Sequence, residues 1–476
     1  MSLETSEKRG VAVSGSAERR PELVRGLNVW HAISIVAGTI IGSGIFLVPA
    51  EMMQAVGSAG LVYLAWILGG LLSFFGALTY AELGAVRPYS GGEYVYVRDA
   101  YGPLWGFLYG WTWFLIAKPA SIASVTAGLV RVLGTFAAFS FLPQTLVALH
   151  VTSDRVLVIT YGHLVAIAAT VLITGLNYVG VRKAGNFQFA FTVLKVVMIV
   201  GIAVVAFIAP SGSWSNFGTS FVGAKGGMVG FMAALVAALW AYDGWNDLNM
   251  VSGEVEQPER TIPVALIAGV GLVAVLYIGM NAGIQRALPA TAIAASSVPA
   301  AAASQAALGR IGISLVSIGM IISMLATLNG TIMSGGRIPF AVARDGYLFK
   351  ALGEVHPRFH TPGLALVIQG AVAIVLVLVG GAFRELFSLT IFSEWLFYMV
   401  AASTIFIFRK REPDVHRPYR TAGYPVVPLI FIATAAVLLC YTFASNLRDS
   451  IGGVVVILLG IPVYLWFARQ RRRGSA

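Results

Sequence analysis

Residues 37–50 read AGTIIGSGIFLVPA, an apolar stretch in which a Gly-Ser-Gly triplet falls where a membrane-spanning helix should be continuous. A second apolar stretch, ALWAYDGWNDLNMV at 238–251, is broken in a similar way at Asp243-Gly244. Unwound backbone in lipid leaves N–H and C=O groups unpaired at several kcal/mol each, so it persists only where it borders a protein cavity or a ligand. The two breaks therefore predict a binding site, although Gly38 and Gly42 alone would also suit a small-residue helix-packing face.

The composition is that of a polytopic membrane protein. Of the 476 residues, 58% are hydrophobic and 11% are charged, and the mean hydropathy is +0.82, whereas soluble domains are roughly 25% charged. Windows of about 20 apolar residues predict twelve spans. These lie near 29–56, 60–82, 102–131, 156–177, 184–209, 227–251, 262–286, 311–336, 361–382, 385–408, 424–446 and 451–468.

The basic residues predict which way the chain is inserted. Most of the 32 Lys and Arg lie in the two tails and in the loops on the same side as the N-terminus. Cytoplasmic loops carry such an excess, so both termini are predicted to be cytoplasmic. The protein is expected to lie in the inner (plasma) membrane of the cell. The formal net charge of +11 follows from this bias and requires no nucleic-acid partner.

The two breaks also predict an internal repeat. They lie about 200 residues and five predicted spans apart, and because five is odd, the two halves have opposite orientations. Broken helices at corresponding positions of two inverted halves are the best sequence indication of a transporter's binding site.

The chemistry of the two breaks favours a zwitterion. The half-helix that resumes at Ile45 directs its N-terminal amides and positive dipole end at the gap, which suits a carboxylate, and the Ser43 hydroxyl can donate to it as well. Gly42 and Gly44 allow left-handed or extended backbone and close approach of a ligand. The half-helix that ends near Trp240 leaves unpaired carbonyls, which suit an ammonium. An amino acid satisfies both breaks.

Several motifs resemble the L-type amino acid transporter family of the amino acid, polyamine and organocation superfamily. They are GTIIGSGIFLVP in the first span, LTYAELGAVRPYSGGEYVYVRDAYG at 78–102, KPAS at 118–121, AYDGWNDLNMVSGEVEQPERTIP at 241–263 and GTIMSGGRIPFAVARDGYL at 330–348. The resemblance covers roughly residues 25–470. It implies alternating access, usually sodium-independent exchange of amino acids, and an inverted five-plus-five helix fold with helices 1 and 6 unwound at mid-membrane and two additional C-terminal helices.

The predicted fold class is therefore an all-α membrane protein. Its expected parts are a disordered cytoplasmic tail at 1–28, a first five-helix repeat at 29–209, a second and inverted five-helix repeat at 227–408, two additional helices at 424–468 and a cytoplasmic tail at 469–476.

The resemblance also implies a set of substrate-binding residues around the breaks. The Ile40 carbonyl, Ser43 and Gly44 would hold the substrate's backbone groups, and Trp240 would cover its side chain. The Trp240 and Asp243 carbonyls, with Asn246 nearby, would complete the site. The full predicted substrate site is Ile40, Gly42, Ser43, Gly44, Ile45, Trp240, Ala241, Asp243, Gly244 and Asn246.

Animal members of this family have a cysteine that forms a disulfide with an accessory heavy chain. The corresponding loop here, about 132–155, has none, and Cys440, the single cysteine, falls in the eleventh predicted span. The chain is therefore expected to work without that partner, in contact with its amino acid substrate and with membrane lipid.

Two lysines fall inside predicted spans, where each ionisable group is a functional hypothesis. Lys195 lies midway along the fifth span, where its ammonium could hold broken-helix carbonyls in the place where relatives with the same fold keep a sodium ion. Family resemblance puts Tyr277 near it. The alternative is a lysine that lines a wet vestibule without any coupling role. Lys118 precedes Pro119, at which the third span is expected to kink, and a structural role is favoured for it.

Two intramembrane acids leave alternatives open. Asp243 could face the substrate and favour a cationic side chain, pair with Lys195, or face a water-filled path. Glu394 could relay protons, although a hydrogen bond across helices is favoured. Lys195, Tyr277, Trp240 and Glu394 are thus the expected coupling and gating residues. Neutral L-amino acids are the favoured substrates, with cationic amino acid exchange or proton-coupled symport as the alternative.

Other chemistry has little support in the sequence. The six histidines form no ligand cluster, so no metal is expected, and GTIIGSG lacks the lysine of a phosphate-binding loop. The sequence shows no pairing of a nucleophile with a nearby base that would suggest an enzyme. No cofactor is expected. A channel or a substrate sensor that uses the same site remains the second class of function.

Overall fold

The computed structural model describes residues 22–152, 155–379, 383–445 and 447–474. The first α-helices are α1 Val29–Ile40, α2 Gly44–Val56, α3 Ala59–Val86, α4 Glu93–Tyr101, α5 Pro103–Thr112, α6 Lys118–Leu133, α7 Tyr161–Tyr178, α8 Val181–Phe207 and α9 Gly227–Ala241. They are followed by α10 Asp247–Met250, α11 Pro258–Ala287, α12 Ala290–Ala295, α13 Pro299–Leu308, α14 Arg310–Gly335, α15 Arg337–Arg344, α16 Gly363–Val379, α17 Phe383–Arg411, α18 Val426–Ser445 and α19 Leu447–Gly474. Short 3₁₀ turns lie at Ala137–Phe139, Trp214–Gly218, Ser252–Glu254 and Lys350–Gly353.

The helices confirm a multi-pass membrane protein. Within the described ranges, nine helical segments are long and apolar enough to cross a membrane, and several consist of two consecutive helices, such as Val29–Val56. Two shorter apolar helices, Gly227–Ala241 and Gly363–Val379, add to them. The 29-residue α17 covers the predicted tenth span.

Both predicted helix breaks are present. α1 ends at Ile40 and α2 begins at Gly44, while α9 ends at Ala241 and α10 begins at Asp247. The third predicted span is interrupted as well, because a π-helical turn at Trp113–Ala117 separates α5 from α6. Pro119 lies two residues after the end of that turn and cannot donate a backbone hydrogen bond. The change of helix type therefore comes just before the proline at which a kink was predicted.

The fold is mainly helical rather than entirely so. Strands β1 Thr145–Thr152 and β2 Arg155–Thr160 pair in antiparallel fashion; β1 lies in the segment expected to be a loop, and β2 lies over the expected start of the fourth span. The fourth span therefore begins at Tyr161, five residues after its predicted start. The reason is local, since β2 reads RVLVIT and β-branched residues of this kind favour a strand.

The structure describes only the last part of the predicted N-terminal tail. Most of the expected tail, 1–21, lies outside the described residues. The amides of Gly26 and Leu27 donate to the Glu254 carbonyl at 2.9 and 3.0 Å, and the Leu27 side chain is fully buried. The prediction of a disordered tail up to residue 28 is therefore wrong for these residues, which pair with the segment after α10.

Helix α1 is held in the centre of the molecule by α8, α11 and α14. A Cβ atom at Gly38 would lie 2.2 Å from Nε2 of Gln188 and 2.4 Å from Oγ1 of Thr192, both on α8. At Gly42 the nearest atom, Oγ1 of Thr327, would be 3.8 Å away. Gly38 is thus a helix-packing glycine, whereas Gly42 borders open space.

This contrast predicts different effects of the same substitution at two glycines. Gly38→Ala should destabilise the fold by about 1–3 kcal/mol, because Gln188 and Thr192 must move to admit the methyl group. Gly42→Ala, the matched control, should leave the melting temperature of the purified protein close to that of the wild type. Thermal unfolding in detergent measures both, and equal melting temperatures of the two variants would contradict this account of α1 packing.

Candidate functional site

A central cavity of about 120 Å³ lies between the two helix breaks. Its walls come from both breaks and from α6, α14 and α17, so it lies where elements distant in sequence converge. The lining residues are Thr39, Ile40, Gly42, Ser43, Gly44, Lys118, Ser121, Ser124, Val125, Trp240, Ala241, Asp243, Gly244, Asp247, Met324, Thr327, Thr331, Glu394 and Tyr398. Most of the predicted substrate site therefore borders one space, while Ile45 and Asn246 lie outside its lining.

One wall offers hydrogen-bond donors. Among the described residues, the backbone amides of Ser43, Gly44 and Ile45 have no acceptor, whereas the Phe46 amide donates to the Ser43 carbonyl at 3.1 Å. The first amides of a helix lack intrahelical partners and carry its positive dipole end. This end of α2 can therefore bind an anionic group such as a carboxylate.

The glycines at the two breaks differ in backbone conformation and in surroundings. Neither Gly42 nor Gly44 has a positive φ, so of the left-handed or extended backbone that they allow, the left-handed form is absent there; Gly244 has it, at φ +101°. A Cβ at Gly44 would lie 3.0 Å from the Cβ of Ala241, so this glycine lets the two broken helices approach each other. Only Gly42 leaves its surroundings open toward a ligand.

Tyr277 on α11 joins the two breaks. Its buried hydroxyl lies 3.1 Å from the Ile40 carbonyl oxygen and 2.9 Å from the Ala241 carbonyl oxygen, so its proton is shared between the last residues of α1 and α9. The hydroxyl of Thr39 makes a second link, 2.8 Å from the Gly244 carbonyl oxygen. Tyr277 was expected near Lys195; its hydroxyl bonds instead to the Ile40 and Ala241 carbonyls, while Lys195 bonds to other carbonyls at the first break.

Lys195 on α8 holds the first break together from behind. Its ammonium is buried and donates to the carbonyls of Gly38, Ile41 and Ser323 at 2.8, 2.7 and 3.1 Å. The Ser323 hydroxyl also donates to the Ile41 carbonyl, at 2.7 Å. Lys195 does not line the cavity. Its contacts with three carbonyls are those expected of a cation that takes the place of a bound ion. Its part in transport stays a prediction.

Lys118 faces the cavity as half of an ion pair. Its ammonium contacts Asp247 Oδ1, and Asp247 Oδ2 accepts a hydrogen bond from the Ser334 hydroxyl at 2.9 Å. The lysine at the start of α6 is thereby tied to α10 and α14, in keeping with the favoured structural role. Asp247 was missed in the sequence; the available signal was a second acid four residues after Asp243 in an otherwise apolar segment.

Asp243 begins a hydrogen-bonded chain that leads away from the cavity. Tyr398 of α17 donates to Asp243 Oδ1 at 3.0 Å and lies 3.3 Å from Asn246 Oδ1. The Asn246 side-chain amide donates to Glu93 Oε1 at 2.6 Å. Asn246 is therefore a supporting residue behind the site. The suggested pairing of Asp243 with Lys195 is wrong, because Lys195 is engaged with three carbonyls on the far side of the break.

Glu394 differs from the favoured expectation. Its partly buried carboxylate lines the cavity, and no hydrogen bond joins it to another described residue. The predicted bond across helices is absent, so this acid faces the space in which a ligand would lie. Trp240 also borders that space, beside Gly44, and its role as a cover over the substrate side chain stays a prediction.

The two ends of the cavity are unequal. A second cavity of about 370 Å³ shares Ser43 and Met324 with the central one and extends between the end of α6 and the start of α14. Toward the side of the N-terminus, ion pairs join neighbouring helices. They are Arg337 with Glu254 at 2.6 Å, both fully buried, Arg98 with Asp345, Arg87 with Glu412 at 2.6 Å and Arg409 with Glu82 at 2.6 Å.

Comparison with known proteins gives one family. The amino acid permease family model matches residues 27–468. The serine/threonine exchanger SteT of Bacillus subtilis is 32% identical over 95% of this chain and 98% of its own length. The human cystine/glutamate transporter is 30% identical over 94% of this chain and 86% of its own length. The mouse b(0,+)-type amino acid transporter 1 is 30% identical over 94% of this chain and 88% of its own length. The resemblance inferred from the motifs is confirmed at the level of this family.

Glu93 predicts a pH-dependent stability. The carboxyl group is fully buried at the start of α4, and its Oε2 atom has no hydrogen-bond partner. Burial is the main cause that raises the pKa of Glu93 from 4.5 to about 7. Because the folded protein binds this proton more tightly than the unfolded chain, stability from the protonated group is complete below about pH 4.5 and is lost as the pH rises through 7.

Glu93→Gln removes this titration while keeping an acceptor for Asn246. The shift corresponds to roughly 3 kcal/mol, so the melting temperature of the variant should exceed that of the wild type at pH 8 and converge with it at pH 5. Glu259→Gln, an exposed acid on α11, serves as the control. If the melting temperatures of Glu93→Gln and the wild type differ by the same amount at both pH values, the raised pKa assigned to Glu93 is contradicted.

Proposed function

The chain belongs to the amino acid permease family, and from that premise we propose that it exchanges amino acids across the plasma membrane by alternating access, without sodium. The observation that supports this most directly is the central cavity, which combines free amides of α2 with the carbonyl end of α9 in one space. A zwitterion has one charged group for each of these walls.

The proposed architecture is the twelve-helix inverted repeat expected from the sequence. Residues 29–209 and 227–408 would form the two halves, followed by two helices at 424–468. The proposal is supported by the breaks after Ile40 and after Ala241, which fall in the first helix of each half. Cytoplasmic termini are proposed from the excess of Lys and Arg on that side.

In the proposed binding mode, the substrate carboxylate accepts hydrogen bonds from the amides of Ser43 and Gly44, which line the cavity, and the Ile45 amide adds to the positive end of the helix behind them. The substrate ammonium lies toward the backbone carbonyls at the end of α9, near Trp240 and Asp243. Gly42 leaves room for the substrate's main-chain atoms, because its surroundings are open. Orientation thus comes from backbone groups, and side-chain selectivity from the remaining wall of the cavity.

The ion pairs on the N-terminal side fit the closed end of an alternating-access cycle. Arg337 and Glu254 are fully buried and bidentate, and Arg87 contacts both carboxylate oxygens of Glu412. Opening toward this side would require α4, α15 and the segment before α11 to separate. The cavity of about 370 Å³ that shares Ser43 and Met324 with the central one would then be the route by which substrate reaches the centre in the conformation described.

Independence from sodium rests on Lys195. Its ammonium supplies one positive charge to the carbonyls of α1 and α14 and is present at every step of the cycle. The absence of cysteine from residues 132–155 supports function without a disulfide-linked heavy chain. The relatives are named as exchangers and transporters, which favours exchange over the alternative of a channel or sensor.

The proposal is tested by counterflow in proteoliposomes. Vesicles loaded with unlabelled amino acids should accumulate labelled amino acid faster than empty vesicles, and replacement of sodium by choline should leave the rate unchanged. A channel or a sensor would show no stimulation by internal substrate. Sodium-dependent uptake would contradict the role assigned to Lys195.

Lys195→Ala should slow exchange while the protein still folds. The substitution leaves buried carbonyls unpaired at roughly 1–3 kcal/mol per group, which shifts the balance between the two access states and the substrate affinities measured from the two faces. Lys183→Ala, an exposed lysine on the same helix, is the matched control. Unchanged exchange by a folded Lys195→Ala protein would remove this lysine from the mechanism.

A further inference from the structure

Two carboxylates line the central cavity from different parts of the chain. Asp243 lies in the break between α9 and α10, and Glu394 lies on α17. They are separated by 151 positions in the sequence, so their meeting in one cavity is a property of the fold. Both are only partly buried, which means that their side chains have access to the space inside.

Neither carboxylate has a cationic partner among the described residues. Asp243 accepts a hydrogen bond from the neutral Tyr398 hydroxyl at 3.0 Å, and Glu394 makes no hydrogen bond with another described residue. The salt bridges of the described chain include neither acid; they are Arg87–Asp99, Arg87–Glu412, Arg98–Asp99, Arg98–Asp345, Lys118–Asp247, Arg337–Glu254, Arg409–Glu82 and Arg417–Glu82.

The two nearby lysines already have other partners. Lys118 lines the cavity, but its ammonium is paired with Asp247. Lys195 is buried behind the first break and donates to three carbonyls. With both carboxylates ionised, the cavity lining therefore carries more negative than positive charge, and a zwitterionic substrate with a neutral side chain leaves that imbalance unchanged.

Closing a site around an unpaired charge costs free energy, because the charge loses its hydrating water and gains no oppositely charged partner or hydrogen bond. A substrate with a positive side chain removes this cost by supplying the missing partner. The main-chain groups of the substrate have separate partners in the amides of α2 and the carbonyls of α9. The two acids are thus left for the side chain.

We propose that Asp243 and Glu394 form a side-chain subsite for amino acids with a cationic group, an ammonium or a guanidinium, and that Glu394 determines this specificity. The proposal rests on the proposed amino acid exchange and chooses the cationic alternative over neutral substrates. A guanidinium has several donors in one plane, so it can contact two carboxylates at once. Tyr398 fixes the position of Asp243, while Glu394 stays free to contact the ligand.

Competition between arginine and citrulline in proteoliposome counterflow tests the subsite. The two amino acids have nearly the same shape, and citrulline lacks the positive charge. Wild-type protein should prefer arginine by at least about tenfold, the discrimination expected of hydrogen bonds between charged groups. Glu394→Gln should reduce the arginine-to-citrulline preference by about tenfold, Asp243→Asn should also reduce it, and Glu394→Asp should retain part of it. Glu51→Gln, an exposed acid on α2, is the control and should keep the wild-type ratio.

The outcomes separate this inference from the proposed function. Exchange of citrulline or other neutral amino acids without preference for arginine would overturn the subsite and leave amino acid exchange in place. Uptake of protons with neutral substrates would have the same consequence, because a proton would then neutralise the acids. Counterflow of no amino acid at all would contradict the proposed function itself. If Glu394→Gln fails to fold, the wild-type ratio and Asp243→Asn decide the question.

Discussion

The structure depends on how the backbone groups at the two helix breaks are satisfied. Carbonyls exposed by the end of α1 are held by Lys195, Ser323 and Thr327, and Tyr277 joins Ile40 to Ala241. Without these donors, unwound backbone inside a membrane protein would leave several buried acceptors unpaired. The breaks are therefore built features of the fold, and a set of helices converges on them because their side chains supply the hydrogen bonds.

An asymmetry between donors and acceptors gives the site its chemistry. Protein side chains satisfy many of the exposed carbonyls, whereas the amides of Ser43, Gly44 and Ile45 have no partner among the described residues. A cavity that keeps free donors at a helix N-terminus has an electrostatic preference for an anion. Asp243 and Glu394 line the same cavity and, when ionised, would favour a cation, so a ligand with separated charges would suit both parts of the site.

The sequence could predict the breaks because glycine, serine and aspartate are conspicuous inside apolar stretches. Lys195 was predictable for the same reason, since a charge midway along a span must have buried partners. The pairing of Lys118 with Asp247 and the exposure of Glu394 to the cavity were not predictable, because they depend on how helices rotate about their axes when they pack. The role of Gly44 as a contact to Ala241 also depends on tertiary approach, and the strand at Arg155–Thr160 resembled the start of an apolar helix.

The most direct test of the central claim is to measure whether an amino acid occupies the space beside α2. Ser43→Cys, in a protein whose exposed Cys440 is replaced by serine, places one thiol on the wall shared by the two cavities. Labelling of this thiol by a polar maleimide should be slowed by a transported amino acid and should be unaffected by its methyl ester, which lacks the carboxylate. Equal protection by acid and ester, or no protection by any amino acid that drives counterflow, would contradict binding of the carboxylate at this helix end.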